Sequence, residues 1–419
     1  MVVKNELSAE CFMNRRQFLY TLSALGIGSL ALSACLSPKL MNPCLSGLPT
    51  TPALADLLKK VWQDVNVNQV WDSHVHIIGI GDSKGDIEQI PWLSPDMDSY
   101  LHPILSVQKF FYINGSCIDE RHTDNSYIDH LQYLVSQLPA GFKVLLFAFD
   151  WHHDEQGQAI KENSIFHIPN NYAAKIAHAH PRIFEWAASI HPYRKDAVDA
   201  LQQVHAQGAR AIKWLPSAMG IDPLSKQCDR FYQAAADLKL PIISHTGREN
   251  AVQGGNQDFG NPLRLRRALD AGVRVVLAHC ASDGDDIDLD KGNDERVRSY
   301  DLFARLMDET AYKSLLYADI SAITLRNHDW VIKPLLERTD WHSRLLNGSD
   351  YPLTGIVPLF NLSGLVSENL LAAEYQPLLD ELQLHNPLLF DFALKRLLRF
   401  GEQAFPISVF ETRRFFTSS

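Results

Sequence analysis

The sequence predicts an α/β fold of the (β/α)8 type, a TIM barrel with an insertion after its first strand. Three observations carry this expectation: short apolar runs alternate with helical patterns, eight such runs can be counted, and no Gly-x-Gly-x-x-Gly follows any of them. Alternating strands and helices indicate a parallel sheet. Eight such units in 419 residues suit a closed barrel, whereas an open doubly wound sheet would be favoured by a dinucleotide-binding glycine fingerprint.

Residues 14–35 read "NRRQFLYTLSALGIGSLALSAC", in which Arg15 and Arg16 precede an uncharged stretch from Phe18 to Ala34, small residues and Cys35. This is the anatomy of a signal peptide, with a retained membrane anchor as the alternative. "RRQFL" resembles a twin-arginine export signal, and Leu32-Ser33-Ala34-Cys35 resembles a bacterial lipobox, whose cysteine is lipidated. The two resemblances imply a protein exported by the twin-arginine route and held in the bacterial envelope, facing the periplasm, by a lipid on Cys35. Residues 36–55, "LSPKLMNPCLSGLPTTPALA", read as a tether, and the folded domain is expected to begin near Asp56.

Strands are expected near 70–77, 142–150, 184–191, 209–215, 240–246, 274–280, 315–321 and 345–350. Helices are expected at 171–180, 196–207, 227–238, 262–271, 298–309 and 328–338. The insertion occupies about 79–140, where "GIGDSKGDIEQIPWLSPDMDSY" reads as a loop followed by helical patterns. There are no internal repeats. The acidic run "SDGDDIDLDKGNDE" presents Asp286, Asp288 and Asp290 at alternate positions, but Gly292 comes one place late for an EF-hand and no closing glutamate has the required spacing. It reads as a solvated loop.

A hydrophobic content of 46% permits a large core. The formal charge of -10, without basic clusters in the body, argues against a nucleic-acid partner. Cys44, Cys117, Cys228 and Cys280 are scattered without C-x-x-C spacing, so no zinc–thiolate site is indicated. A disulfide framework is not expected in a chain this long, and a single bridge stays open.

In a (β/α)8 barrel the chemistry gathers where strands end at the C-terminal face. "WDSHVHIIG" places His74 and His76 on one side of a strand, because alternate side chains share a face. The expected fourth, fifth, sixth and eighth strands end in Lys213 ("ARAIKWLP"), His245 ("PIISHTG"), His279 ("RVVLAHC") and Asp350 ("LLNGSDYP"). Each interrupts an apolar run, and buried polar groups are costly without partners. A shared metal ion accounts for them together.

"DSHVH", "IKWLP", "SHTG", "LAHCAS", "YADISA" and "NGSDYP", in this order, resemble the amidohydrolase superfamily. They are most similar to its branch containing aminocarboxymuconate-semialdehyde decarboxylase and related 2-pyrone-type hydrolases and hydratases. The resemblance implies that His74, His76 and Asp350 bind a divalent metal. His245 then completes a mononuclear site or joins a second one, and His279 binds a second ion or orients water and substrate. Zinc is the expected ion, one or two per chain, with manganese, iron and nickel open. Lys213 is carboxylated and bridges two metals in binuclear relatives; otherwise it pairs with a carboxylate or points away.

The function implied is a metal-dependent hydrolase of a small-molecule amide, lactone or ester, with Asp350 as general acid and base assisted by His279. The alternatives are a non-oxidative decarboxylase or hydratase on the same residues, and an inactive barrel lipoprotein acting as a binding module. Substrate contacts are expected from Arg248, which can grip a carboxylate, and from Trp151 and His191 at the pocket rim. His152 and His153 are further rim candidates. Asp319 and Ser321 are expected to hold ligand side chains by hydrogen bonds, and Cys280 to be a small buried hydrophobe.

Overall fold

Apolar runs rich in valine, isoleucine and leucine form the eight strands of a barrel in the computed structural model, which describes residues 40–86, 89–252, 255–292 and 294–417. The twin-arginine motif and the Leu32–Cys35 lipobox lie outside the described residues. The strands are β1 (Trp71–His76), β2 (Lys143–Phe147), β3 (Phe184–Ala187), β4 (Ile212–Trp214), β5 (Ile242–Ser244), β6 (Val275–Leu277), β7 (Leu316–Asp319) and β8 (Leu345–Leu346). Parallel ladders join β1 to β2 and β2 to β3, and run without a break from β4 through β8. Parallel bridges Ala188↔Ile212 and Val75↔Tyr351 connect the two groups at both edges, so the sheet closes on itself. All eight expected strands are present, each shorter than its apolar run; 274–280, for example, contracts to Val275–Leu277. The polar residues at their C-terminal ends leave the ladder for loops.

One buried cluster fills the barrel interior, with Trp71, Leu145, Phe147, Ala187, Ala211, Ile243, Val276 and Leu346 contributed by successive strands. Phe415 and Phe416, near the chain's C-terminus, join this cluster, and the Phe416 ring stacks on Trp71 at 6.0 Å. A barrel filled in this way is a packed core and not a pore, so chemistry is confined to its open end. The outer strand faces pack beneath helices that include Ala197–Ala206, Asp229–Asp237 and Ser299–Asp308, each burying its apolar side.

The insertion supplies helices Pro103–Gly115 and Thr123–Ser136 and a short strand, Trp92–Leu93. That strand pairs antiparallel with Phe166–His167 in the loop after β2, stitching the insertion to the barrel mouth. Gly115 and Gly355 meet so closely that a Cβ on Gly355 would collide with the Gly115 carbonyl.

Residues from Asn42 onward belong to the fold, which corrects the expected tether and the start near Asp56. Asn42 donates through its backbone N–H to Asn114 Oδ1 (2.8 Å) and through its side chain to the Gly355 carbonyl (3.2 Å). Cys44 forms a disulfide with Cys117, and helix Pro52–Trp62 starts with Pro52 behind a Thr51 cap. No helix among the described residues is long and apolar enough to cross a membrane.

Candidate metal centre

The paired histidines reach the barrel mouth through an irregularity. β1 pairs Trp71↔Lys143 and Asp72↔Val144, then slips to Val75↔Leu146 and His76↔Phe147. One extra residue on β1 lets Trp71 face the interior and still turns His74 and His76 inward, which strict alternation from Trp71 would forbid. The Asp72 carboxylate braces this bulge. It accepts the N–H of His74 (3.2 Å) and that of Ser349 (2.8 Å), while the Asp350 N–H donates to the His74 carbonyl (2.9 Å). The two chain segments bearing the candidate ligands are therefore cross-tied by backbone. Burial raises the Asp72 carboxyl to about 7 against the lowering effect of its bonds from Ser349.

At the mouth, His74 Nε2 and His76 Nε2 stand 3.3 Å apart, and Asp350 Oδ1 lies 3.5 Å from the first and 3.2 Å from the second. These three are the group of His, Cys, Asp or Glu atoms among the described residues that could hold a metal, all within 4.8 Å of one another. Tetrahedral bonds of about 2.1 Å give donor–donor edges of about 3.4 Å, so two imidazoles and a carboxylate stand at the spacing zinc requires. Burial would raise the Asp350 carboxyl, but His74 and His76 hold it well below the usual range, so it is ionised. Burial pushes the His76 imidazole down, opposed by Asp350.

Asp319 orients the set from behind. Its Oδ2 accepts His74 Nδ1–H (2.9 Å), leaving the His74 Nε2 lone pair directed into the mouth, and its Oδ1 accepts the N–H of His279 (2.8 Å) and of Ser321 (3.0 Å). Burial would raise this carboxyl, yet His74, His279 and Ser321 keep it ionised far below its ordinary value. Asp319→Asn is expected to weaken affinity for a divalent cation at this candidate site about 10–100-fold, the range for carboxylates behind a metal-ligating histidine. Competition with a chromophoric chelator measures this; unchanged affinity would mean the imidazole is oriented by packing alone.

Lys213 is buried at the end of β4 and points into the site: its Nζ is 3.0 Å from His74 Nε2 and 4.8 Å from the centre of the Phe147 ring. Burial pushes the ammonium down to about 8, against the pull of Asp319, Asp350 and Glu249. Phe147 also underlies His74 and His76, with ring separations of 4.8 and 5.5 Å, and so forms the floor of the site.

His245 and His279, expected to complete that site, join a second one or orient water and substrate, stand outside the three-donor group. They pair with each other, His279 Nε2 lying 3.0 Å from His245 Nδ1, and Glu249 Oε2 lies 3.2 Å from the same His245 nitrogen. Burial lowers the His245 imidazole to about 3 and holds the His279 imidazole well below its ordinary value, so both are neutral near pH 7. Their remaining nitrogens, His245 Nε2 and His279 Nδ1, are buried without hydrogen-bond partners among the described residues. The apolar run ahead of His279 ends in three consecutive left-handed residues, His279, Cys280 and Ala281, with φ of 42°, 55° and 48°. Such strain in non-glycine residues gathers at functional sites. Cys280 is wholly buried against the core, as expected.

The pocket above these residues is walled by all six polar residues singled out at the strand ends. Arg248 lies on its rim, exposed, and forms no ion pair among the described residues. Trp151 and His191 are not brought to it. The loop after β2 folds back to the insertion, so Trp151 stacks on His167 at 4.0 Å and packs beside Trp92. His191 is fully buried, packs on His153 at 4.5 Å, and accepts the Tyr193 N–H. His152 and His153 also turn inward, their Nδ1 atoms 2.9 Å from the carbonyls of Ala218 and Trp151 respectively. Sequence reasoning missed Glu249, Phe147 and His328, whose Nδ1 is 2.5 Å from Ser282 Oγ. Glu249 was within reach, since it follows His245 by four residues beside Arg248.

The amidohydrolase family model matches residues 71–355, from the first strand through the loop beyond Asp350. The chain belongs to the amidohydrolase family. A comparison with curated proteins finds no match. Among solved structures the amidohydrolase chain is similar to an uncharacterised TIM-barrel protein from Bordetella bronchiseptica, at 15% identity and TM-score 0.43 over 74% of this chain and 98% of that one. It is similar to a probable 2-pyrone-4,6-dicarboxylic acid hydrolase from Acinetobacter baumannii, at 14% identity and TM-score 0.41 over 76% and 96% of the two chains. It is also similar to 2,6-dihydroxybenzoate decarboxylase from Rhizobium, at 11% identity and TM-score 0.39 over 78% and 98%.

Proposed function

We propose that this amidohydrolase is a metal-dependent hydrolase of a small-molecule amide, lactone or ester, with zinc as its ion and His74, His76 and Asp350 as ligands. The observation that carries the reading is the convergence of those three donor atoms at 3.2–3.5 Å under a pocket that Lys213, His245 and His279 also line. A bound divalent cation would supply Lewis acidity toward a substrate carbonyl and bring the pKa of water toward neutrality. Asp350, ionised in the resting site, accepts a proton from the attacking water and returns it to the leaving group. The neutral His245–His279 pair, anchored through Glu249, holds the substrate by hydrogen bonds while Phe147 keeps water from the floor of the site.

A carboxy-lyase or hydratase on the same residues is the second reading. It is favoured by two cations, Lys213 at the base of the pocket and Arg248 on its rim, which suit a substrate carboxylate.

The deciding measurement is metal content per chain, on protein lacking the signal segment and purified without added metal, beside a Lys213→Ala variant. About two ions falling sharply in the variant supports a carboxylated-lysine bridge and directs a screen of amides, lactones and esters. About one ion, unaffected by the variant, supports a mononuclear site and moves carboxylic-acid substrates forward. No ion after reconstitution, or tight metal retention with no turnover across the panel, overturns the hydrolase; the latter supports a binding lipoprotein.

We further propose export by the twin-arginine route and anchoring by a lipid on Cys35. The Cys44–Cys117 disulfide supports this reading, because such bonds persist in oxidising compartments. Cys35→Ala is expected to move the protein from the membrane fraction to the soluble fraction; unchanged fractionation would sink the lipid anchor.

A further inference from the structure

Beside the reaction pocket lies a second pocket, bounded by the end of β1, the insertion and the loop after β2. Ile78, Tyr112, Phe166 and Ala251 line both spaces, so the two are neighbours with only these side chains between them. Its remaining walls are apolar: Ile77 and Ile80 follow β1, Leu93, Met97 and Ile113 come from the insertion, and Ile165 and Ile168 from the loop after β2. The polar groups that border it are engaged elsewhere. The Tyr112 hydroxyl donates to the Ala251 carbonyl (2.7 Å), and Lys109 turns its ammonium to Asp98 (2.5 Å). The Ile80 N–H donates to Asp124 Oδ1 (2.8 Å), and the Ile168 N–H donates to the Phe149 carbonyl (2.9 Å). A space walled mainly by aliphatic side chains, its bordering polar side chains turned away, holds water poorly and hydrocarbon well.

We infer that this annex is a specificity subsite that receives a straight hydrocarbon chain of the substrate while the reacting carbonyl sits over His74, His76 and Asp350. The inference rests on the hydrolase reading for the reacting bond, but its walls stand whatever that bond is. The substrate is then an acyl compound with a polar head at the rim, within reach of Arg248, and an aliphatic tail running under the insertion. Because Leu93, Met97 and Ile113 all come from the insertion, the added segment after β1 acts as the tail-binding element of this barrel.

The test uses zinc-loaded protein and straight-chain monocarboxylates from acetate to decanoate, with binding measured by calorimetry. Each methylene that enters the annex should tighten binding about three- to fourfold, until the space is filled and the series levels off. Ile165→Trp, at a half-buried position, is expected to fill the annex, leaving acetate and butanoate unchanged and flattening the rise for longer acids. Ile80→Asn, also half-buried, should reduce the rise by admitting water without filling the space. A flat series in the unaltered protein, no binding by any member, or a rise indifferent to both substitutions overturns the subsite. The 4-nitrophenyl esters of the same acids separate the two readings. A chain-length rise in binding with no turnover of any ester or amide keeps the annex and removes the hydrolase. Turnover independent of chain length removes the annex alone.

Discussion

Asp350→Asn is expected to lower kcat/KM by about 10²–10⁴-fold, the range in which a positioned acid–base group contributes. The substitution keeps the shape of the side chain and removes two properties. Asp350 Oδ1 lies 3.2 Å from His76 Nε2 and 3.5 Å from His74 Nε2, so a neutral amide takes the anionic donor out of the cluster. It also removes the group proposed to accept and return the proton, which His74 and His76 keep ionised in the native protein against the effect of burial. The two losses separate experimentally. Metal content per chain reports the first, and turnover at saturating zinc reports the second. Turnover within tenfold of the unaltered protein at full metal occupancy would assign the proton transfer to another group, with the His245–His279 pair the next to test.

Lys395→Met is expected to cost about 3–5 kcal/mol, the penalty of breaking a buried ion pair by removing one partner. Lys395 lies in helix Pro387–Leu397, fully buried, and its Nζ donates to Asp391 Oδ2 (2.7 Å) and to the Gly348 carbonyl (2.6 Å). Methionine fills nearly the same volume but leaves the buried Asp391 carboxylate without its cation, with only the Thr324 hydroxyl donating to it (3.4 Å), and the Gly348 carbonyl without its lysine donor. Burial already lifts the Asp391 carboxyl to about 6 with Lys395 opposing it, so part of the response will be proton uptake by Asp391. Gly348 precedes Asp350 by two residues and packs against His74, so the pair steadies the backbone from which both candidate ligands project. Denaturant unfolding of Lys395→Met and of the double variant Asp391→Leu, Lys395→Met decides the mechanism. Recovery of most of the lost stability in the double variant is expected. Equal losses in both would show that the methionine disturbs packing instead of stranding a charge.

Much of this molecule was readable before its coordinates. The run "RVVLAHC" had the composition of a buried parallel strand and ended in a polar residue, and the structure has β6 there with His279 just beyond it. The N-terminal segment was harder. "LSPKLMNPCLSGLPTTPALA" carries the proline and serine content of a tether, and only the positions of Asn114, Cys117, Leu384 and Gly355 in space show that residues 42–45 are fastened down. Trp151 was misplaced for a similar reason. Its place after β2 suggested the pocket rim, but its loop pairs with the insertion, and the pairing of Trp92–Leu93 with Phe166–His167 has no short-range signature.

The sequence by itself determined the number and order of the strands and the kinds of side chain at their ends. Both are local properties, carried by apolar periodicity and by polar residues that interrupt it. The tertiary structure decided which of those side chains meet. The slip in β1 turned His74 and His76 toward Asp350, and the left-handed turn at His279–Ala281 set His279 against His245 and away from the three-donor group. The insertion placed an apolar chamber beside them. Register, turn handedness and loop destination depend on contacts between residues far apart in the chain, and a periodicity of two or of 3.6 residues carries no record of those contacts.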